Sequence, residues 1–214
     1  MMLRNIENNA VIVGCGGFGR EMYEMISRDY SVIGFVDDFQ KDSIKDIPIL
    51  GNCDYLLTYE ESISVFICIA NTAVREKIYE KLSQNKHLKF PSIISGFARV
   101  SKTLTMGIGN IICDNVVVTV DSKLGNFTII DNTCLVGHDV IVDDFVTLYP
   151  GAIVAGNVHI GNNCELGTGC NIIQGLDIGK RTIIGAGAVV VRNIPENCTA
   201  VGVPAKPIKF REEN

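Results

Sequence analysis

No stretch of the 214 residues approaches the ~20 consecutive apolar residues that a membrane-spanning helix needs. The opening, Met1 to Asn9, is polar and has no apolar signal segment. The expectation is a cytoplasmic protein with no membrane partner. Basic residues do not predominate either: 19 Lys and Arg against 24 Asp and Glu leave a net charge of −5, so the chain has no cationic footprint for nucleic acid. The eight cysteines include no CxxC pair and are irregularly spaced, which argues against the disulfide framework of a small secreted domain. Histidine is scarce, with only His87, His138 and His159, and neither these nor the acids fall at metal-ligand spacing, so no metal is expected. A GxSxG elbow is also missing, which removes the usual signature of a serine nucleophile.

What the chain does have is a period of six. Every sixth residue from Ile94 to Val190 is a large apolar side chain, a spacing that fits neither an amphipathic helix nor a half-buried strand. Four residues after most of these stands a small or β-branched side chain, among them Ser122, Thr128, Cys134, Ala152, Cys164 and Cys170. One wide and one narrow inward position per hexad suit a solenoid whose turns bury little alone and stack into a continuous core. The repeat cysteines then read as reduced, small apolar fillers. Glycine recurs just after the aliphatic position, at Gly107, Gly125, Gly137, Gly161, Gly167, Gly179 and Gly185, where the expectation is a corner with a backbone conformation other residues resist.

Ahead of the repeat the pattern changes to strand, glycine turn, helix, strand. Ala10–Val13 is apolar, Gly14-Cys15-Gly16-Gly17-Phe18-Gly19 follows, Arg20–Arg28 reads as a helix, and Ser31–Val36 ends in Asp37-Asp38. Gly14, Gly16 and Gly19 satisfy GxGxxG in its required context, so a diphosphate is favoured at this turn. About 90 residues leave room for one mononucleotide-binding half, which favours a nucleotide-sugar over NAD. A further strand at Val65–Ala70 and a helix at Ala73–Ser83 complete an α/β domain at 1–90. The β-helix would run over 91–205, and 206–214 would leave it as a C-terminal tail.

With these motifs the chain resembles the hexapeptide-repeat sugar acetyltransferases, the family of the UDP-4-amino-sugar N-acetyltransferases and sialic acid O-acetyltransferases. The resemblance implies a Rossmann-like α/β half domain followed by a left-handed parallel β-helix, three hexads to a lap, assembled as a homotrimer. It implies acetyl-CoA as cosubstrate and a nucleotide-sugar held by the N-terminal domain through Gly14, Gly16, Gly17, Phe18, Asp37, Asp38, Asn71 and Arg75. Phe18 stands where relatives commonly carry His.

The segment Val136-Gly137-His138-Asp139 resembles the family's catalytic histidine followed by an acid. A neutral imidazole can serve as base near pH 7, and a carboxylate on its other nitrogen sets the tautomer. Three hexads make eighteen residues, so Gly156 should lie over His138 on the next lap. The resemblance makes His138 the general base, Asp139 its orienting partner and the Gly156 N–H a donor to the acetyl carbonyl. Coenzyme A would lie between subunits against Gly167, Thr168 and Ala186, with Lys206 near its phosphates. Two departures bear on the acceptor: relatives often have Asn where this chain has Asp131 followed by Asn132, and Thr147 stands where some carry a second His. The expected activity is N-acetylation of a UDP- or dTDP-linked 4-amino sugar. The alternatives are O-acetylation of a sugar of the sialic acid type and a non-catalytic nucleotide-sugar-binding scaffold.

Overall fold

The computed structural model describes residues 8–40, 42–44 and 46–211; most of the polar N-terminal stretch and the last three residues of the expected tail lie outside them. The chain divides into two compact units, Met1–Ala70 with Val74–Pro91, and Asn71–Ala73 with Ser92–Asn214.

The first unit is a parallel sheet. Its elements are β1 (Asn9–Val13), α1 (Gly17–Ile26), β2 (Ser31–Val36), β3 (Ile49–Gly51), α2 (Cys53–Leu57), β4 (Ile63–Ile67), α3 (Thr72–Leu82) and β5 (Leu88–Lys89). The strand order is β3-β2-β1-β4-β5, all neighbours parallel. This is the expected Rossmann-like α/β half domain: β4, expected from the sequence, lies on the far side of β1, and the short β5 extends the sheet beyond it. The order reverses between β1 and β4, and a crevice outside the strand ends at such a reversal is where doubly wound sheets take ligands. β1 is buried apart from its first residue, as a central parallel strand covered on both faces must be.

In the second unit the hexads form two-residue strands in three parallel sheets. Arg99, Val117, Leu135, Ile153, Asn171 and Val189 pair in succession, each eighteen residues from the last. The other two sheets keep the same interval, through Thr105, Lys123, Ile141, His159 and Asp177 and through Ile93, Ile111, Ile129, Thr147, Glu165 and Ile183. Eighteen residues per lap is therefore observed. From Ile112 to Val190 the aliphatic hexad positions line one core, whereas Ile94 and Met106, in the first lap, are exposed.

The narrow inward positions explain how a small polar group is tolerated in that core. Ser122 Oγ, Thr128 Oγ1, Cys134 Sγ and Cys164 Sγ each donate to the backbone carbonyl fifteen residues on, at Gly137, Asp143, Tyr149 and Gly179. A buried hydroxyl or thiol so bonded carries little desolvation cost. All eight cysteines are buried and free of disulfides.

The glycines after the aliphatic position act differently from the expectation. The left-handed backbone falls two residues later, at Asn115, Asp121, Thr133, Asp139, Asn157, Asn163 and their equivalents. The glycines are instead required for space. A Cβ on Gly161 would stand 2.7 Å from the backbone N of Lys180, and one on Gly137 would stand 2.7 Å from the backbone of Ala155 and Gly156. Gly161→Ala should therefore destabilise the protein by about 1–3 kcal/mol through overpacking. For a chain of this size that lowers the melting temperature by roughly 2–4 °C per kcal/mol, which calorimetry would read directly.

The C-terminal end also departs from the expected tail. Cys198–Val201 pairs in parallel with Ile183–Ile184, sixteen residues on, and Lys206–Phe210 turns back against it as an antiparallel strand. The last lap is two residues short, and Lys206–Phe210 is part of the sheet.

Candidate active site

His138 lies on a corner, two residues past the buried Val136, with its side chain about half exposed. Two backbone bonds hold the corner between laps: the Asp139 N–H donates to the Val120 carbonyl and the Asn157 N–H to the His138 carbonyl. Asp139 takes the left-handed conformation, φ 57°, and its Oδ2 lies 2.8 Å from His138 Nδ1. A Cβ on Gly156 would stand 2.3 Å from His138 Nε2, so the imidazole lies over the bare Cα of the next lap. Among the described residues no acceptor takes the Gly156 N–H. With Asp139 accepting from Nδ1–H, Nε2 is left as the unprotonated nitrogen, and this is the arrangement of a general base.

The other candidate groups of this unit stand on a second corner. Thr168 and Ala186 are eighteen residues apart and both exposed, and a Cβ on Gly167 would come within 2.6 Å of the Ala186 backbone N. Thr168 follows Gly167, two past Leu166, just as His138 follows Gly137, but its strand belongs to a different sheet. Within one chain, therefore, the histidine corner and this corner are separate. Lys206 is exposed at the start of the antiparallel strand. His159, read as exposed, bonds Asp143 Oδ1 at 3.1 Å on its own sheet. The repeat thiols are not nucleophiles: burial pushes Cys134, Cys164 and Cys170 up to about 12.

The glycine turn has the features that the fingerprint demands. Gly14 adopts φ 94°, and a Cβ on Gly19 would stand 1.9 Å from the Gly14 carbonyl oxygen, so only glycine lets α1 approach β1. Gly16 and Gly17 have open space where a Cβ would be, and Gly16 caps α1 without a side-chain bond. The first amides of α1, at Gly17 and Phe18, lie beside that space.

The acids after β2 are placed otherwise than expected. Asp37 Oδ2 accepts from the Cys15 N–H and thiol, and Oδ1 accepts from the Phe39 and Gln40 N–H groups. Partial burial works to raise its carboxyl, but these bonds outweigh it and hold the group at about 2. Asp38 Oδ1 accepts from the Cys53 N–H at the start of α2. Both carboxylates thus brace the loops. Because the folded Asp37 titrates below its ordinary value, its stabilising effect is complete above about pH 4 and is lost as pH falls toward 2. Asp37→Asn should lower stability at neutral pH by roughly 1 kcal/mol after allowance for partial exposure. The gap from the unsubstituted protein should close between about pH 4 and 2 in urea melts.

Arg75 is buried, its guanidinium donating to the Ile69 and Ala70 carbonyls at 2.7 and 2.9 Å, so it pins the loop after β4. Asn71 falls in the second unit, where its Nδ2 and the Tyr149 hydroxyl both reach the Glu165 carboxylate. Tyr149 and Glu165 went unnoticed in the sequence, although a count of eighteen places Glu165 directly above Thr147.

A hexad prism with a carboxylate-braced histidine over a bare glycine, joined to a glycine-turn α/β unit, defines an acyltransferase of the parallel β-helix class. Residues 9–82 match the PglD N-terminal domain family. The chain is 32% identical over 219 residues to the GDP-perosamine N-acetyltransferase of Escherichia coli O157:H7, covering 92% of this chain and 95% of that protein. Its structure is similar to the acetyltransferase domain of PglB from Neisseria gonorrhoeae FA1090, solved with acetyl coenzyme A, at TM-score 0.90 and 31% identity over 94% of this chain and 99% of that one. It is also similar to PerB from Caulobacter crescentus, solved with CoA and GDP-perosamine, at TM-score 0.89 and 30% identity over 95% and 98% of the two chains. The chain belongs to the hexapeptide-repeat sugar acetyltransferase family.

Proposed function

We propose that the protein transfers the acetyl group of acetyl-CoA to the amino group of a nucleotide-linked amino sugar. The observation that carries this is the His138 imidazole, held at Nδ1 by Asp139 with Nε2 over Gly156. Likeness to enzymes that acetylate GDP-perosamine supports the acceptor class.

In this reading the sugar's amine attacks the thioester carbonyl. The C–N bond forms as the amine gives a proton to Nε2, and Asp139 stabilises the imidazolium. The Gly156 N–H donates to the developing oxyanion. Collapse breaks the C–S bond, and the proton on Nε2 passes to the departing CoA sulfur. The N-terminal unit holds the nucleotide, with the diphosphate at the Gly16, Gly17 and Phe18 amides.

Assembly follows from the two corners. CoA along Gly167, Thr168 and Ala186 meets His138 when the two corners come from neighbouring copies, which supports a homotrimer with three shared sites. Exposed Leu135 and Ile153, outward on the sheet ending at the histidine corner, suit such contacts. Lys206 then approaches the CoA phosphates. No helix among the described residues is long and apolar enough to cross a membrane. A cytoplasmic location accords with the use of acetyl-CoA and a sugar nucleotide.

The test is mass spectrometry of GDP-, UDP- and dTDP-linked 4-amino sugars incubated with enzyme and acetyl-CoA. Gain of one acetyl group on nitrogen is expected. Acetylation only of hydroxyls, or of none of these acceptors, would overturn the reading.

A further inference from the structure

A cavity of about 250 Å³ lies in the first unit, one helical turn from the glycine loop. Its lining is Arg20, Tyr23 and Glu24 of α1, Phe35 of β2, and Ile44 and Ile47, which exchange reciprocal backbone bonds. Tyr23 and Phe35 stand 6.0 Å apart, centroid to centroid, with their planes 44° apart, so the apolar lining is aromatic on one side and aliphatic on the other. That shape suits a planar ring.

The polar groups at the cavity are opposite in charge and not spent on each other. Arg20 Nη1 donates to the Cys15 carbonyl at 3.1 Å, which ties it to the glycine turn, while the Glu24 carboxylate has no partner among the described residues. An Arg four residues before a Glu is the less favourable order for a helical pair, and among the described residues no ion pair joins the two, so Glu24 and the remaining Arg20 N–H groups can face a ligand.

We propose that this cavity is a nucleobase pocket selective for guanine, with Glu24 accepting from the base and Arg20 donating to its carbonyl. The proposal rests on the reading that this unit holds the substrate's nucleotide. A carboxylate offers two acceptors side by side, and guanine alone among the common bases presents two adjacent donors, the ring N1–H and the exocyclic amine, next to a carbonyl. Uracil and thymine set a single N–H between two carbonyls, so one Glu24 oxygen would face another oxygen. Adenine and cytosine place a bare ring nitrogen beside their amine, with the same conflict. The pocket also lies at the right place. Arg20 follows Gly17 by roughly 5 Å along the helix and Glu24 by about a turn more, so a diphosphate at the first amides leaves its ribose to bridge toward the rings.

Calorimetry on the full chain with GDP, IDP and UDP tests this. GDP should bind most tightly, and IDP, which lacks the exocyclic amine, roughly tenfold or more weakly. Glu24→Gln should cut GDP affinity by a similar factor, shrink the gap between GDP and IDP, and leave UDP where it was. Equal GDP affinity in the unsubstituted protein and Glu24→Gln, or UDP binding as tightly as GDP, would overturn the pocket while leaving the acetyl transfer reading intact. Failure of every nucleoside diphosphate to bind would overturn both.

Discussion

His138→Ala should lower kcat for acetyl transfer by roughly 10²- to 10⁴-fold, the range a positioned general base supplies. The affinity for each substrate should change little, because the imidazole tip meets only the reacting amine. The substitution is safe for the fold: the side chain is about half exposed and, among the described residues, bonds only Asp139, while the bonds that hold the corner run through the backbone of residues 138 and 139. Steady-state kinetics with a circular dichroism melt checks both halves. A loss confined to KM with kcat intact would show that His138 only binds substrate. Asp139→Asn should fall between the two enzymes, since the imidazole keeps its place but loses the charge that favours its protonated form.

Gly156→Ala should be nearly as damaging, through geometry alone. The new Cβ would stand 2.3 Å from Nε2 and 2.4 Å from Cε1 of His138, so the ring must swing away from the position that Asp139 sets. A displacement near 1 Å costs on the order of 10²-fold in rate. The half-exposed ring has solvent to move into, so the melting temperature should hardly shift. A variant with unchanged kcat would mean that the imidazole works elsewhere than over this glycine. Gly161→Ala makes the counterpart, at the position directly after an aliphatic residue, where backbone is struck and stability falls in place of activity.

The lap length was legible because side-chain type repeats with it: seventeen aliphatic residues in phase from Ile94 to Val190 leave few other windings. The outward direction of His138 followed by counting from Val136. What counting does not give is which physical demand a residue meets. The glycines after the aliphatic position looked like conformational hinges, yet left-handed backbone falls two residues later in the same corner, mostly on Asn, Asp and Gly, and the glycines make room for the neighbouring lap. Asp37 was expected, by resemblance, among the nucleotide-sugar contacts; its oxygens face Cys15, Phe39 and Gln40, contacts made by loop geometry that no spacing encodes. Arg75 was implied as a ligand contact by the family resemblance, whereas its burial and two carbonyl partners are tertiary facts. The outermost strand, β5, was hidden because a strand as short as Leu88–Lys89 carries almost no pattern.

A ladder of parallel strands has no natural terminus, and each exposed rung is a template on which another chain could continue. Here the shortened final lap takes the register out of step by two residues, and Lys206–Phe210 then runs against the direction of every strand before it in that sheet. A second molecule arriving in the parallel sense would meet reversed amides and, at Pro207, no N–H at all. The same few residues that finish the sheet thereby keep neighbouring molecules from growing end to end into fibres.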